Sequence, residues 1–136
     1  MKTLQKLCIS CGGTGGHFYP GLAVAAEWQK QGGKVLLLIG GKHAVKQHKT
    51  ASDEGIDSVI VPAAPLSLNP VKLMKFMWKG MRGFFISRAA YRKFQPDALL
   101  IMGSYAGLPP YLAAVSCGIP IFLHDGNARL GKRTKK

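Results

Sequence analysis

The sequence predicts an α/β domain built on a doubly wound parallel sheet, and three observations carry that reading. Short runs rich in Val, Ile and Leu alternate with longer helical stretches, and glycine or proline punctuates the junctions between them. Glycine-bearing segments at Cys11 to His17, Gly103 to Gly107 and His124 to Gly131 each follow one of the apolar runs, where a parallel sheet places its ligand loops. The chain has 136 residues, of which 47% are hydrophobic and 17 are glycine, enough for one domain with its own core.

Leu4 to Ser10 reads as a buried strand, Gly21 to Gln31 as a helix, and Lys34 to Ile39 as a second strand closed by Gly40-Gly41. Together they form a right-handed βαβ unit. His43 to Glu54 is polar and helical, Ser58 to Val61 is a short strand, and Pro62 to Pro70 is a proline-punctuated loop expected to be mobile. Val71 to Phe94 forms a long helix and Asp97 to Met102 a strand after Pro96. Leu108 to Ser116 forms a helix opened by Pro109-Pro110, and Ile119 to Leu123 a last strand after Gly118. Residues 1–128 are expected to form the domain and 129–136 a basic tail, at which the chain stops on the approach to another helix.

The most informative segment is Cys11-Gly12-Gly13-Thr14-Gly15-Gly16-His17-Phe18-Tyr19-Pro20. Its glycines let the backbone approach a ligand that any Cβ would obstruct, and Pro20 suits the first turn of a helix starting there. Main-chain N–H groups beside a helix start bind phosphate-like anions. A dinucleotide fingerprint does not fit: counting from Gly13 the sixth position is Phe18, and the second strand ends in Ile39-Gly40-Gly41-Lys42 without a ribose-binding acid. A Walker loop does not fit either, since the turn closes with Gly16-His17-Phe18.

Nineteen Lys and Arg against six acids give a formal charge of +13, which points to an anionic partner surface. Seven cations and no acids lie between Lys72 and Lys93, and five more between Arg129 and Lys136. In the 71–94 helix, Leu73, Met74, Met77, Trp78, Met81, Phe84 and Phe85 span an arc of about 140° opposite Lys72, Lys75, Lys79 and Arg82. Leu73, Met77 and Phe84 are expected to face the core; Met74, Trp78 and Phe85, with Lys75 and Lys79, are expected to meet an anionic bilayer surface. Cys8 and Cys11 lack a second pair, so no metal is expected and all three cysteines, Cys117 included, read as reduced packing residues. Neither a secretory signal nor an apolar stretch of about 18 residues is present, which suggests a soluble, cytoplasmic protein.

Three motifs in order, Gly12 to Ala25, Gln95-Pro96-Asp97 through Met102-Gly103-Ser104-Tyr105, and Gly118-Ile119-Pro120 through His124-Asp125-Gly126-Asn127, resemble the N-terminal domain of the lipid-linked N-acetylglucosaminyltransferases of peptidoglycan synthesis, in glycosyltransferase family 28. The resemblance covers about Leu4 to Gly131 and implies one Rossmann-like half of a GT-B fold. It implies an inverting hexosyltransferase of cell-wall biogenesis, peripheral on the cytoplasmic face of the plasma membrane and without a cofactor. Here the N-terminal half takes an undecaprenyl-diphosphate-linked muramoyl acceptor and a second domain holds UDP-N-acetylglucosamine. That donor domain is absent from this sequence, so the chain is expected to be inactive alone, as a fragment or one half of a split enzyme.

The resemblance makes Gly12 to Gly16, with Gly13, Thr14, Gly15 and Gly16, and Gly103 to Gly107, with Ser104, the diphosphate-cradling loops; by their own chemistry the Thr14 hydroxyl and the Asn127 amide suit sugar or phosphate oxygens, and Tyr105 suits stacking on a sugar, bonding a phosphate or packing at a helix start. Inverting transfer needs a base for the acceptor hydroxyl, and His17 is the first candidate, with Asp125 the rival. Ser104 stands where the family usually has glycine, and Asp125-Gly126 where it has Glu-Gln. Two other functions remain open on sequence alone: a non-catalytic basic module binding phosphates or nucleic acid, although no recognised nucleic-acid motif appears, and a truncated scaffold.

Overall fold

In a computed structural model the chain is described at residues 6–12, 15–41, 43–62, 68–102, 108–123 and 133–134, with backbone alone at 12, 15–17, 108, 133 and 134. Strand β1 (Lys6–Gly12) runs through the middle of a sheet ordered β3-β2-β1-β4-β5-β6. Its neighbours are β2 (Lys34–Gly40) on one side and β4 (Ala98–Ile101) on the other, with β3 (Ser58–Ile60) and β5 (Ile121–Leu123) beyond them. These five pair in parallel; β6 (Arg133–Thr134) pairs antiparallel with β5, setting Thr134 opposite Ile121. Part of the expected basic tail is therefore an edge strand. The loop expected between Pro62 and Pro70 lies at 63–67 outside the described residues.

Helices α1 (Gly15–Lys30) and α2 (Ala44–Asp53) cover one face, and α3 (Pro70–Phe94) and α4 (Leu108–Cys117) the other. Alternation along β1 feeds both layers: Leu7, Ile9 and Cys11 join Phe18 and Ala25 of α1, while Cys8 joins Tyr91 of α3 and Ala113 and Ala114 of α4. β2 is buried at six of its seven positions because helices cover both of its faces.

The largest departure from expectation is the start of α1, at Gly15 rather than Gly21. The helix thus takes in Gly15, Gly16 and His17, and Pro20 lies inside it. Gly-Gly is a poor helix former, but Phe18 is fully buried and draws this turn onto the sheet. β1 likewise runs two residues further than the sequence indicates, through Cys11 and Gly12.

Two close approaches set the layers. A Cβ on Gly21 would lie 2.7 Å from Cys11 Cβ, so α1 rests directly on β1. A Cβ on Gly83 would lie 2.3 Å from the Pro62 carbonyl oxygen and 2.9 Å from Pro109 Cβ, where α3 meets α4. The Asn69 side chain caps α3 by accepting from the Val71 and Lys72 amides at 2.9 and 3.3 Å, with Pro70 at the first helical position. Gln95 closes the helix in the left-handed region at φ 54°. Asp97 then ties β4 to β1: its amide donates to the Lys6 carbonyl at 2.7 Å and its carboxylate accepts from the Lys6 amide at 2.9 Å.

Candidate functional site

The strand order reverses between β1 and β4, because β1 leads through α1 to β2 on one side while β4 lies on the other. Open α/β sheets bind ligands in the crevice outside the strand C-termini at such a reversal. Both glycine-rich segments leave the sheet there, 13–14 from β1 and 103–107 from β4. At the ends of these strands the Met102 amide donates to the Ser10 carbonyl at 2.9 Å, continuing the β1–β4 ladder one residue past β4.

α1 and α4 both start at this edge, but they offer different chemistry. The first four amides of a helix have no partner within it. In α1 those on described residues belong to Gly15, Gly16 and His17, and all three can donate. In α4 the second and third residues are Pro109 and Pro110, which have no N–H to give. The α1 terminus therefore offers amide donors and the positive end of a helix dipole at the crevice, where α4 lacks two of its first amides. Buried Phe18 and the Gly21–Cys11 contact fix that first turn; Tyr19 packs edge-on against Phe18 with ring centroids 5.0 Å apart and is itself exposed. In α4 the Tyr91 hydroxyl donates to the Pro110 carbonyl at 2.8 Å, a bond buried between α3 and α4.

Of the expected site residues, Gly15 and Gly16 lie in the first turn of α1, and the backbone of His17 follows them. Gly13, Thr14, Gly103, Ser104, Tyr105, Asp125 and Asn127 lie outside the described residues, on segments that leave the C-terminal ends of β1, β4 and β5. Among the described residues no group of three His, Cys, Asp or Glu could hold a metal ion. Cys8 and Cys11 are buried, and burial pushes each thiol up to about 12 from 9.0. Cys117 departs from expectation: at the end of α4 it is exposed rather than packed.

The long helix also corrects the sequence reading. Its buried positions are Gly83, Ser87 and Tyr91, with Leu73, Phe76 and Phe84 half-buried. Met74, Trp78 and Phe85 are 72, 63 and 58% exposed, as expected, but Met77, assigned to the core, is 61% exposed. The core face centres on the Ser87 direction, about 80° round from Met77. The exposed stripe of Val71, Met74, Met77, Trp78, Met81 and Phe85 spans about 120° and runs about 20 Å along α3, with Arg82, Lys75 and Lys79 on one shoulder. No helix among the described residues is long and apolar enough to cross a membrane.

A parallel sheet whose reversal point faces a glycine-opened helix start defines a Rossmann-like domain of the kind found in GT-B glycosyltransferases. The chain belongs to the glycosyltransferase family 28 N-terminal domain family, whose model matches residues 7–136. It is 37% identical over 133 residues to the UDP-N-acetylglucosamine--N-acetylmuramyl-(pentapeptide) pyrophosphoryl-undecaprenol N-acetylglucosamine transferase of Chlamydia pneumoniae, covering 97% of this chain and 36% of the relative. The Thermus thermophilus protein of the same name is 38% identical over 127 residues, covering 92% of this chain and 36% of the relative. Among solved structures, Acinetobacter baumannii MurG superposes with a TM-score of 0.75 at 29% identity, over 91% of this chain and 36% of that one. The kitacinnamycin glycosyltransferase, with a TM-score of 0.67 at 21% identity, shares the fold. The chain spans about a third of the length of these relatives.

Proposed function

We propose that these residues form the acceptor-binding domain of an enzyme that moves N-acetylglucosamine from UDP-N-acetylglucosamine to an undecaprenyl-diphosphate-linked muramoyl pentapeptide. The observation that carries the reading is the glycine-opened start of α1 at the β1–β4 reversal, in a chain of this family. In the proposed complex the acceptor diphosphate accepts hydrogen bonds from the amides of Gly15, Gly16 and His17, with Gly13, Thr14, Gly103, Ser104 and Tyr105 completing the cradle and Asn127 contacting the sugar or phosphate. His17 then removes the proton of the acceptor hydroxyl as the anomeric carbon is attacked and UDP departs; Asp125 is the alternative base.

Catalysis of this kind depends on holding donor and acceptor together, so these 136 residues turn over only when a donor-binding domain is supplied. The lipid end of the acceptor requires the domain to sit at a membrane. The exposed stripe on α3, with Lys75 and Lys79 beside Met74, Trp78 and Phe85, would rest on the anionic cytoplasmic face of the plasma membrane.

The test is transfer to a lipid-linked acceptor, with this domain joined to a family donor domain. His17→Ala is expected to lower kcat by about 10²–10⁴ while leaving acceptor binding within a few-fold. Unchanged kcat would remove His17 from the role of base, and no transfer by the joined protein would remove the function.

A further inference from the structure

A second concavity lies at the opposite edge of the sheet, where α2 and the C-terminal end of α3 meet around the edge strand β3. Its volume is about 410 Å³, within the range of small-molecule sites. The walls are apolar: Leu36 of β2, Ile56, Val59 of β3, and Ala90 and Phe94 of α3. Polar groups converge on these walls from separate elements. Lys93 enters from α3 and has no ion-pair partner among the described residues. Ser52 enters from α2, and Ser58 of β3 is within hydrogen-bond reach of the His48 imidazole. Lys6 adds a second positive charge nearby, its Nζ lying 6.0 Å from the centre of the Phe94 ring. Asp57 is the acid on the lining.

We propose that this cavity binds a small amphipathic monoanion: an aryl or branched alkyl group carrying one carboxylate or sulfonate. The apolar part lies on Leu36, Val59 and Phe94, and the anionic head meets Lys93 and the Ser52 hydroxyl. With His48 donating through Nδ1 to Ser58 Oγ, the Ser58 hydroxyl proton is free to turn toward the same head. Asp57 partly offsets the two lysines, so the site prefers one negative charge to several and differs in kind from the amide cradle at the start of α1. Walls from both helix layers and an edge strand of three residues make the opening accessible from solvent without parting the core.

The probe is 1-anilinonaphthalene-8-sulfonate, titrated against the full chain by fluorescence, with its position mapped by amide and imidazole chemical shifts. Binding is expected to shift the Ser58 amide and the His48 ring. Lys93→Glu is expected to weaken binding at least fivefold, and Ala90→Trp, which fills the cavity, to remove these shifts. Trp78→Ala, on the exposed α3 stripe, should leave the His48 and Ser58 shifts unchanged. Shifts confined to the α3 stripe, with both cavity variants binding as the native chain does, would overturn the proposal. Because Lys93 is exposed on the helix surface, Lys93→Glu keeps the test open should Ala90→Trp fail to fold.

Discussion

Gly21 stands so close to Cys11 that a Cβ built on it would lie 2.7 Å from the Cys11 Cβ, closer than real side chains approach. The contact joins the helix whose first amides are proposed to bind the diphosphate to the strand that leads into it. Gly21→Ala is expected to destabilise the fold by about 1–3 kcal/mol, the usual cost of overpacking. Urea denaturation measures that loss, and a diphosphate titration of the same variant should show weaker binding, because tilting α1 moves the amides of Gly15 and Gly16.

Tyr91 makes the corresponding junction on the other face, donating to the Pro110 carbonyl at 2.8 Å. Tyr91→Phe leaves that buried carbonyl without its donor, at an expected cost of about 1–2 kcal/mol. A denaturation midpoint unchanged by the substitution would show that the bond contributes nothing net.

Three buried acids should make the fold sensitive to alkali. Burial raises Cys8 and Cys11 to about 12 from 9.0, and raises Tyr91 in the same direction, with the neighbouring Cys8 and Cys117 thiols adding to the effect. The folded state therefore keeps protons that the unfolded chain releases. The stability tied to the thiols is complete below about pH 9 and is lost as pH rises from there toward 12. Unfolding midpoints should hold up to about pH 9 and fall between about pH 9 and 11, and that fall should flatten in a Cys8→Ala, Cys11→Ala double variant. In native protein at neutral pH, Ellman's reagent should find Cys117 quickly and the other two thiols only on unfolding.

The α3 stripe predicts membrane association with a defined chemistry. Trp78→Ala and a Lys75→Glu, Lys79→Glu double reversal should each reduce co-sedimentation with anionic vesicles, the lysines by roughly fivefold per charge removed. Neutral vesicles should respond to Trp78→Ala alone. Equal binding by both variants and the native chain would exclude this face.

The order of β1 to β5 and of the helices between them was legible because these strands are apolar runs marked off by glycine or proline from the helical stretches. Element ends were less so. Gly15-Gly16-His17 reads as a turn because glycine is a poor helix former, yet the burial of Phe18 three residues on, a tertiary contact, draws the segment into α1. Met77 was misplaced because helical period gives the width of an apolar arc but not which part of it meets the sheet. Gly83 marks that part, since only a residue without a side chain fits against the Pro62 carbonyl. The pairing of Arg133–Thr134 with β5 has no periodic signature in so short a stretch. The candidate site was legible as a position, the turn after the first strand, whose residues 13–14 lie outside the described ones. The contrast between α1 and α4 was also written in the sequence, in Pro109-Pro110, and became meaningful once both helix starts shared one edge.

The central claim is that the first amides of α1 hold the diphosphate, and amide chemical shifts measure it directly. Titrating the chain with a soluble, short-chain prenyl diphosphate should move the Gly15, Gly16 and His17 amide resonances in a saturable way, with far smaller changes at Leu108 and Tyr111 in α4. Saturable shifts at the α4 start with Gly15, Gly16 and His17 unmoved would contradict it.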